Sequence, residues 1–207
     1  MDEIVFFIFI LFFSVILHEC AHGVAAYLCG DPTAKEAGRL TLNPLKHVDP
    51  LGTVVLPGIL MTLRLLGYHT IIFGWAKPVP VNFLRLRHPK RDMIWVGLAG
   101  PAVNILIALG CSQLLAKMHF SPQQAELLGA AIFINLLLAV FNLMPIPPLD
   151  GSRLVAGVLP REAAILYSRL EPYGILIVMA LLYAGVLRQV VFPMVEFFFT
   201  LLTRMVT

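Results

Sequence analysis

Four stretches of the chain are long enough and apolar enough to cross a lipid bilayer. They lie at about 4–28, 93–116, 125–143 and 172–187. A spanning helix needs about 20 predominantly apolar residues to cross a hydrocarbon core about 30 Å thick. A fifth apolar segment, at about 189–203, is shorter and is interrupted by Pro193. Because 59% of the 207 residues are hydrophobic and only 13% are charged, the sequence predicts an all-α polytopic membrane protein with about five to six transmembrane helices.

The region between the first and second of these helices is less regular. In residues 34–53 and 73–92, short β-like runs alternate with Pro, Gly and Asn, which argues against a continuous helix. The segment 54–72 between them is apolar but is broken by Pro57 and Gly58, so it either crosses the bilayer or dips into it and returns. We therefore expect short membrane-associated β-strands and a re-entrant loop in this region.

The distribution of basic residues favours the re-entrant arrangement. If 54–72 does not cross, most Lys and Arg residues of the loops fall on one side, and the other side keeps only Lys117, Arg188 and the acidic N-terminus. Cytoplasmic loops carry an excess of Lys and Arg, so the basic side is predicted to be cytoplasmic. We expect a multi-pass protein of the cell membrane, formed by a single domain over residues 1–207. Its net charge of +3 is too small and too scattered to predict a nucleic-acid partner.

The first predicted helix contains the pattern HECAH at residues 18–22. Residues four apart share one face of a helix, so His18 and His22 can direct ring nitrogens at one metal ion, with Glu19 beside them. Two imidazoles suit Zn²⁺, and catalytic zinc sites have three protein ligands and a water. Each ionisable group near the bilayer centre costs about 2.5–3.5 kcal/mol on insertion scales. Three such groups within five residues need a compensating interaction, either a metal ion or a polar seam between helices.

A third ligand has to come from elsewhere in the chain. The segment NLMPIPPLDGSRL, 142–154, contains three prolines that cannot donate helical hydrogen bonds, so the chain unwinds there. Asp150 is then delivered to the cytoplasmic side of the membrane, at the level of the two histidines. A plain turn, in which Asp150 and Gly151 cap the next helix, explains these residues equally well.

A third motif concerns the helix at 93–116. Gly97, Gly100 and Ala108 form a small-residue face that would let this helix pack closely on the first one. Asn104 would then face the site. The β-like loops would offer free strand edges, to which an extended peptide could add through main-chain hydrogen bonds.

Three motifs together resemble the site-2 protease family of intramembrane zinc metalloproteases. They are HECAH, GPAVN at 100–104, and N-x-x-P-x-P-x-L-D-G from Asn142 to Gly151. The resemblance covers nearly the whole chain in order, with no departure at a motif position. It implies a protease that hydrolyses peptide bonds within or near the transmembrane segments of membrane-anchored proteins. No inserted PDZ-type or appended CBS-type domain is expected in this chain.

The resemblance also implies roles for individual residues. His18, His22 and Asp150 would bind one zinc ion per chain, and Glu19 would be the general acid and base. Asn142 would orient or stabilise the scissile carbonyl. The active site would lie nearer the cytoplasmic face of the lipid bilayer.

Two other functions are compatible with HECAH. A membrane metal carrier or sensor would use the same cluster for binding alone, but the sequence offers no histidine-rich loop or further intramembrane carboxylates for a transport path. A membrane protease with a glutamate as third ligand would use Glu162 or Glu171, but neither lies in an ExxxD-like helical pattern. The sequence therefore favours the zinc endopeptidase and leaves the oligomeric state open.

Overall fold

The computed structural model describes residues 2–70 and 74–204. The α-helices in this part of the chain are α1 (Asp2–Leu28), α2 (Thr33–Glu36), α3 (Leu56–Leu65), α4 (Pro89–Lys117), α5 (Pro122–Asn142), α6 (Gly151–Val158), α7 (Arg161–Ser168), α8 (Gly174–Tyr183) and α9 (Phe192–Arg204). Helices α1, α4 and α5 pack against one another and form the centre of the molecule. Helix α6 packs on α4, and α9 packs on α5.

Capping residues, proline and glycine mark the ends of the long helices in the sequence. Helix α5 begins with a capping box, in which the Ser121 hydroxyl accepts from the Gln124 N–H and the Gln124 side chain accepts from the Ser121 N–H. Pro122 occupies its first position, where a missing N–H does no harm. After α1 the chain turns at Gly30, whose φ of +107° is readily adopted only by glycine.

Within the described residues, four segments are long and apolar enough to cross a membrane, judged by length and composition alone. They are Val5–Leu28, Pro89–Lys117, Pro122–Asn142 and Arg161–Tyr183. The first three correspond to predicted spans, with ends that differ by a few residues. The fourth comprises α7, a 3₁₀ turn at Glu171–Tyr173 and α8, so the predicted 172–187 helix overlaps only its second half and extends four residues beyond it. The predicted count of five to six spans is therefore confirmed only as far as four candidates.

An apolar cluster joins α4, α5 and α9. Its buried side chains are Ala108, Ile132, Leu136, Val140, Val191 and Val195. The Ser112 hydroxyl of α4 donates to the carbonyl of Leu202 in α9 at 2.9 Å. This cluster fixes α9 against the central helices α4 and α5.

The predicted short β-strands are not found in the described part of the chain. Residues 74–82 have no regular secondary structure, and Pro78 and Pro80 have no N–H to donate to a strand ladder. The N–H groups of Val79 and Asn82 bind side chains, and Arg39 occupies the carbonyls of residues 77 and 78. The edge expected to receive a substrate peptide is therefore already paired at these positions.

The apolar segment after α2 is a short helical stretch. A π-helical turn at Pro50–Val55 continues into α3, and together they form an apolar helix from Pro50 to Leu65. Gly67, with a φ of +91°, reverses the chain after α3. This stretch is shorter than the described candidate spans. Residues 71–73, at the end of the predicted re-entrant segment, lie outside the described residues.

Candidate metal site

Three side chains converge at the centre of the helix bundle. His18 Nε2 lies 3.0 Å from His22 Nε2 and 3.0 Å from Asp150 Oδ2, and His22 Nε2 lies 3.1 Å from the same carboxylate oxygen. All three residues are buried, with 6–9% of their surface exposed. In residues 2–70 and 74–204 no other group of His, Cys, Asp and Glu side chains is close enough to share a metal ion.

The sequence around Asp150 explains how it reaches α1. Helix α5 ends at Asn142, and the proline-rich segment that follows forms a series of tight turns held by backbone bonds such as Leu149 N–H to Ile146 O. A Cβ at Gly151 would collide with the carbonyl of Leu143, so this compact turn requires glycine. Asp150 directly precedes α6 but does not cap it. Its side chain contacts the two imidazoles instead.

The second nitrogen of each imidazole is also held. His18 Nδ1 lies 2.6 Å from Asn104 Oδ1, and His22 Nδ1 lies 2.6 Å from the carbonyl oxygen of Val96. Both partners belong to α4. A hydrogen bond at Nδ1 orients the ring and leaves Nε2 for a metal ion. Asn104 therefore faces the site as predicted, whereas the Val96 carbonyl has no side-chain signature in the sequence.

Gly100 makes room for the two imidazoles. A Cβ at this position would lie 2.6 Å from His18 Nε2 and closer still to His22 Nε2. The predicted small-residue face is confirmed at this glycine only. The atoms nearest to Gly97 belong to Asp150, Arg153 and Leu154, and Ala108 packs in the cluster with α5 and α9. Three residues spaced along α4 point to different neighbours because the helix is enclosed by α1, α5 and α6.

Glu19 accepts a hydrogen bond from the backbone of segment 77–82, which has no regular secondary structure. Its Oε2 accepts the N–H of Val79 at 2.7 Å. The segment packs directly on α1, since a Cβ at Gly23 would lie 2.8 Å from Val79 Cγ1. The contact was not predicted, although Pro78 and Pro80 leave Val79 as the donor between them.

A second carboxylate holds the other end of this segment. Asp31, at the end of α1, accepts the N–H groups of Thr33 at 3.0 Å and Asn82 at 2.6 Å. Burial raises the pKa of the Asp31 carboxyl, but a hydrogen bond from the Thr33 hydroxyl, the two backbone hydrogen bonds and the positive charge of Arg85 outweigh it and hold the pKa below its usual value. The segment that carries the Val79 N–H is thus tied to α1 at two points.

In the described part of the chain, Asn142, like Glu19, makes no side-chain hydrogen bond with His18, His22 or Asp150. It is the last residue of α5, and its Nδ2 donates to the carbonyl of Leu138 in the same helix at 2.9 Å. Among the described residues, its side chain makes no hydrogen bond with the other four predicted site residues. Its role stays a prediction.

The donor set fits a zinc ion. Two imidazole nitrogens and one carboxylate oxygen are ligands of catalytic zinc sites, where bonds of about 2.0–2.1 Å in a tetrahedron place the ligand atoms about 3.3–3.4 Å apart. The observed separations of 3.0–3.1 Å are only a few tenths of an ångström shorter. Burial alone raises the pKa of the Asp150 carboxyl, but hydrogen bonds with His18 and His22 outweigh it and lower that pKa to about 2. Asp150 is therefore in the ionised form that binds metals.

Comparison with known proteins supports the same chemistry. The model of peptidase family M50 matches residues 116–185, which include α5 and Asp150. The chain is 36% identical over 195 residues to YwhC of Bacillus subtilis (strain 168), a protein provisionally named as a zinc metalloprotease. That alignment covers 90% of this chain and 84% of the relative. No solved structure matches the chain significantly.

A second group of relatives comes from mycobacteria. The chain is 32% identical over 192 residues to Rip2 of Mycolicibacterium smegmatis and 31% identical over 193 residues to Rip2 of Mycobacterium tuberculosis (strain H37Rv). Both are provisionally named as zinc metalloproteases, and the alignments cover 90% and 91% of this chain and 70% of each relative. Because relatives more than 30% identical align with 90–91% of this chain and with 70–84% of their own length, the chain belongs to peptidase family M50, the site-2 protease family of intramembrane zinc metalloproteases.

Proposed function

We propose that this protein hydrolyses peptide bonds within or near the transmembrane segments of membrane-anchored proteins. The observation that carries the proposal is the convergence of His18, His22 and Asp150 inside a bundle whose three central helices are long enough to cross a bilayer. Membership of peptidase family M50 supports the reaction class, and the names of the relatives support zinc as the metal.

The three converging side chains would hold one zinc ion per chain. When bound, zinc lowers the pKa of a coordinated water toward about 7 and polarises a carbonyl group. His18 and His22 supply Nε2 atoms and are oriented from α4 through their Nδ1 atoms. Asp150 supplies Oδ2 and brings a negative charge. The shape of this site depends on Gly100, which leaves space beside the rings.

Glu19 is assigned the proton transfers. Its Oε2 is held by the Val79 N–H, which leaves Oε1 to take a proton from the attacking water and return it to the leaving amine. Glu19 lies one residue after His18 and is only partly buried. It is therefore suited to act as a base beside the metal ligands.

Asn142 is assigned a role at the scissile carbonyl. It ends α5, eight positions before Asp150, at the start of the unwound segment. Its amide would have to leave the Leu138 carbonyl to donate a hydrogen bond to substrate. An isolated amide that stabilises developing negative charge on oxygen contributes about 10²–10³-fold to kcat in other hydrolases.

The orientation in the membrane is also a proposal. The helical stretch Pro50–Leu65 is shorter than the candidate spans, which supports a segment that enters the bilayer and returns. With that topology the basic loops lie on the cytoplasmic side of the cell membrane, and the site lies nearer that face. All of residues 1–207 would then form one domain, with its oligomeric state open.

A reporter substrate tests the mechanism. A membrane-anchored protein with a single transmembrane segment is incubated with the purified enzyme in liposomes, and cleavage is followed by mass spectrometry. Glu19→Gln should keep its zinc and lose at least about 100-fold in cleavage rate, since general base catalysis contributes about 10²–10⁴-fold. Glu126→Gln, an exposed site in α5, is the matched control and should cleave normally. Retained cleavage by Glu19→Gln would refute this role.

A further inference from the structure

A line of buried polar side chains leads away from the metal site through the bundle. Asn104 Oδ1 lies 2.6 Å from His18 Nδ1, and Asn104 Nδ2 donates to Asn135 Oδ1 at 2.8 Å. Asn135 Nδ2 donates to the Ser14 hydroxyl and to the carbonyl of Ala131, both at 2.9 Å. Asn104 and Asn135 are completely buried. The chain of bonds joins α1, α4 and α5 at the level of the site.

The direction of these bonds is set at the far end of the chain. A carbonyl oxygen can only accept, so the group of Asn135 that faces Ala131 must be the amide Nδ2. Asn135 Oδ1 then faces Asn104, which must present its own Nδ2 as donor. Each amide therefore has one orientation that leaves no clash between like groups.

The same reasoning continues to the imidazole. With its Nδ2 turned toward Asn135, Asn104 presents Oδ1 to His18, and an oxygen acceptor requires a hydrogen on His18 Nδ1. In the neutral ring the lone pair is then on Nε2, the atom that faces His22 and Asp150. If Asn104 were turned over, its Nδ2 would donate to Nδ1 and the ring hydrogen would lie on Nε2. That hydrogen would have to be removed before a metal could bind.

We propose that Asn135 is a positioning residue that, through Asn104, selects the tautomer of His18 that binds the metal. Among the described residues Asn135 makes its hydrogen bonds with Asn104, Ser14 and Ala131 and not with the ligand atoms, so it acts through Asn104 of α4. The inference rests on the proposed zinc site. It adds a requirement that the ligand motifs do not contain, since a lone asparagine in the apolar helix α5 has no characteristic spacing.

The test is the zinc affinity of purified protein in detergent, measured by competition with a chromophoric chelator. Asn135→Leu removes the acceptor that orients Asn104, and we expect zinc affinity to fall by about 10–100-fold, the usual effect of losing an outer partner of a metal ligand. Ser14→Ala is the matched control. It removes a buried partner of the same amide, but the Ala131 carbonyl still sets the direction, so its zinc affinity should stay near the wild-type value.

A double variant separates tautomer control from damage to packing. In Asn104→Asp/Asn135→Leu, the carboxylate at 104 accepts from His18 Nδ1 in either orientation, so most of the lost affinity should return. The inference is overturned if Asn135→Leu binds zinc as wild type does, or if the double variant binds as weakly as Asn135→Leu alone. Failure of the wild-type protein itself to bind zinc would instead overturn the proposed function.

Discussion

Two neighbouring residues of α1 are held by very different parts of the molecule. His18 is oriented by Asn104 of α4, in a layer where three long helices meet. Glu19 accepts a hydrogen bond from the backbone N–H of Val79, which lies in the non-helical segment between α3 and α4. The helical side of the site, where α4 and α5 pack on α1, is held by buried packing. The loop side, formed by segment 77–82, depends on hydrogen bonds to Glu19 and Asp31. We therefore expect that the metal binding proposed for His18 and the proton transfer proposed for Glu19 can be altered separately, although the two residues are adjacent in sequence.

The largest effect is expected on the helical side, at Gly100. Gly100→Ala would place a methyl carbon 2.6 Å from His18 Nε2, a distance that real Cβ atoms essentially never show. Zinc affinity should fall by at least about 100-fold, the upper end of the range for a disturbed ligand environment. Elemental analysis of the purified variant measures this. Gly110→Ala lies in the same helix with no atom within 4 Å of the new carbon, and it should bind zinc normally. Equal zinc contents would show that α1 and α4 are not so closely packed.

Loss of Asp150 should also remove zinc, and it tests which carboxylate completes the site. Asp150→Ala should lower the zinc content strongly, because it removes one of three protein ligands. Glu162→Ala and Glu171→Ala, both exposed in the structure, should keep full zinc. Loss of metal in either glutamate variant, with Asp150→Ala unaffected, would favour the glutamate-ligand protease considered from the sequence.

A smaller effect is expected on the loop side. Val79→Pro removes the N–H that holds Glu19, so kcat should fall by up to about 100-fold, as for a catalytic group displaced by about 1 Å. Zinc content and KM should change little, because the metal ligands are held from α4. Steady-state kinetics with the reporter measures the separation.

Val79→Ala is the control for this experiment, since it shortens the side chain and keeps the N–H. It should retain most of the wild-type kcat. If Val79→Ala and Val79→Pro lose the same activity, the packing of the side chain on Gly23 matters and the hydrogen bond does not.

The parts of the site that were predictable from sequence are those with a fixed spacing. His18 and His22 are one helical turn apart, and the prolines before Asp150 determine where α5 stops. The long helices follow from apolar length, with their ends shifted by a few residues. By contrast, the hydrogen bond from Val79 comes from the backbone, which has no sequence signature. Asn135 could not be singled out because its partners lie 31 and 121 positions away.

The predicted β-strands, which are not found in the described residues, show why a local sequence pattern can give a wrong prediction. Residues 77–82 contain the β-branched residues typical of a strand, but their prolines remove alternate N–H donors. The N–H groups of Val79 and Asn82 donate to Glu19 and Asp31, and the carbonyls of residues 77 and 78 accept from Arg39. Such side-chain partners are distant in sequence. They become visible only when the loops and α1 are placed together.

The wide separation of the proposed ligands has a consequence for biosynthesis. His22 enters the membrane with the first helix, and Asp150 follows 128 residues later, beyond the end of α5. A nascent chain that still lacks this turn has two imidazoles but no carboxylate partner. The proposed three-ligand site therefore cannot form in a ribosome-bound intermediate until Asp150 has been synthesised.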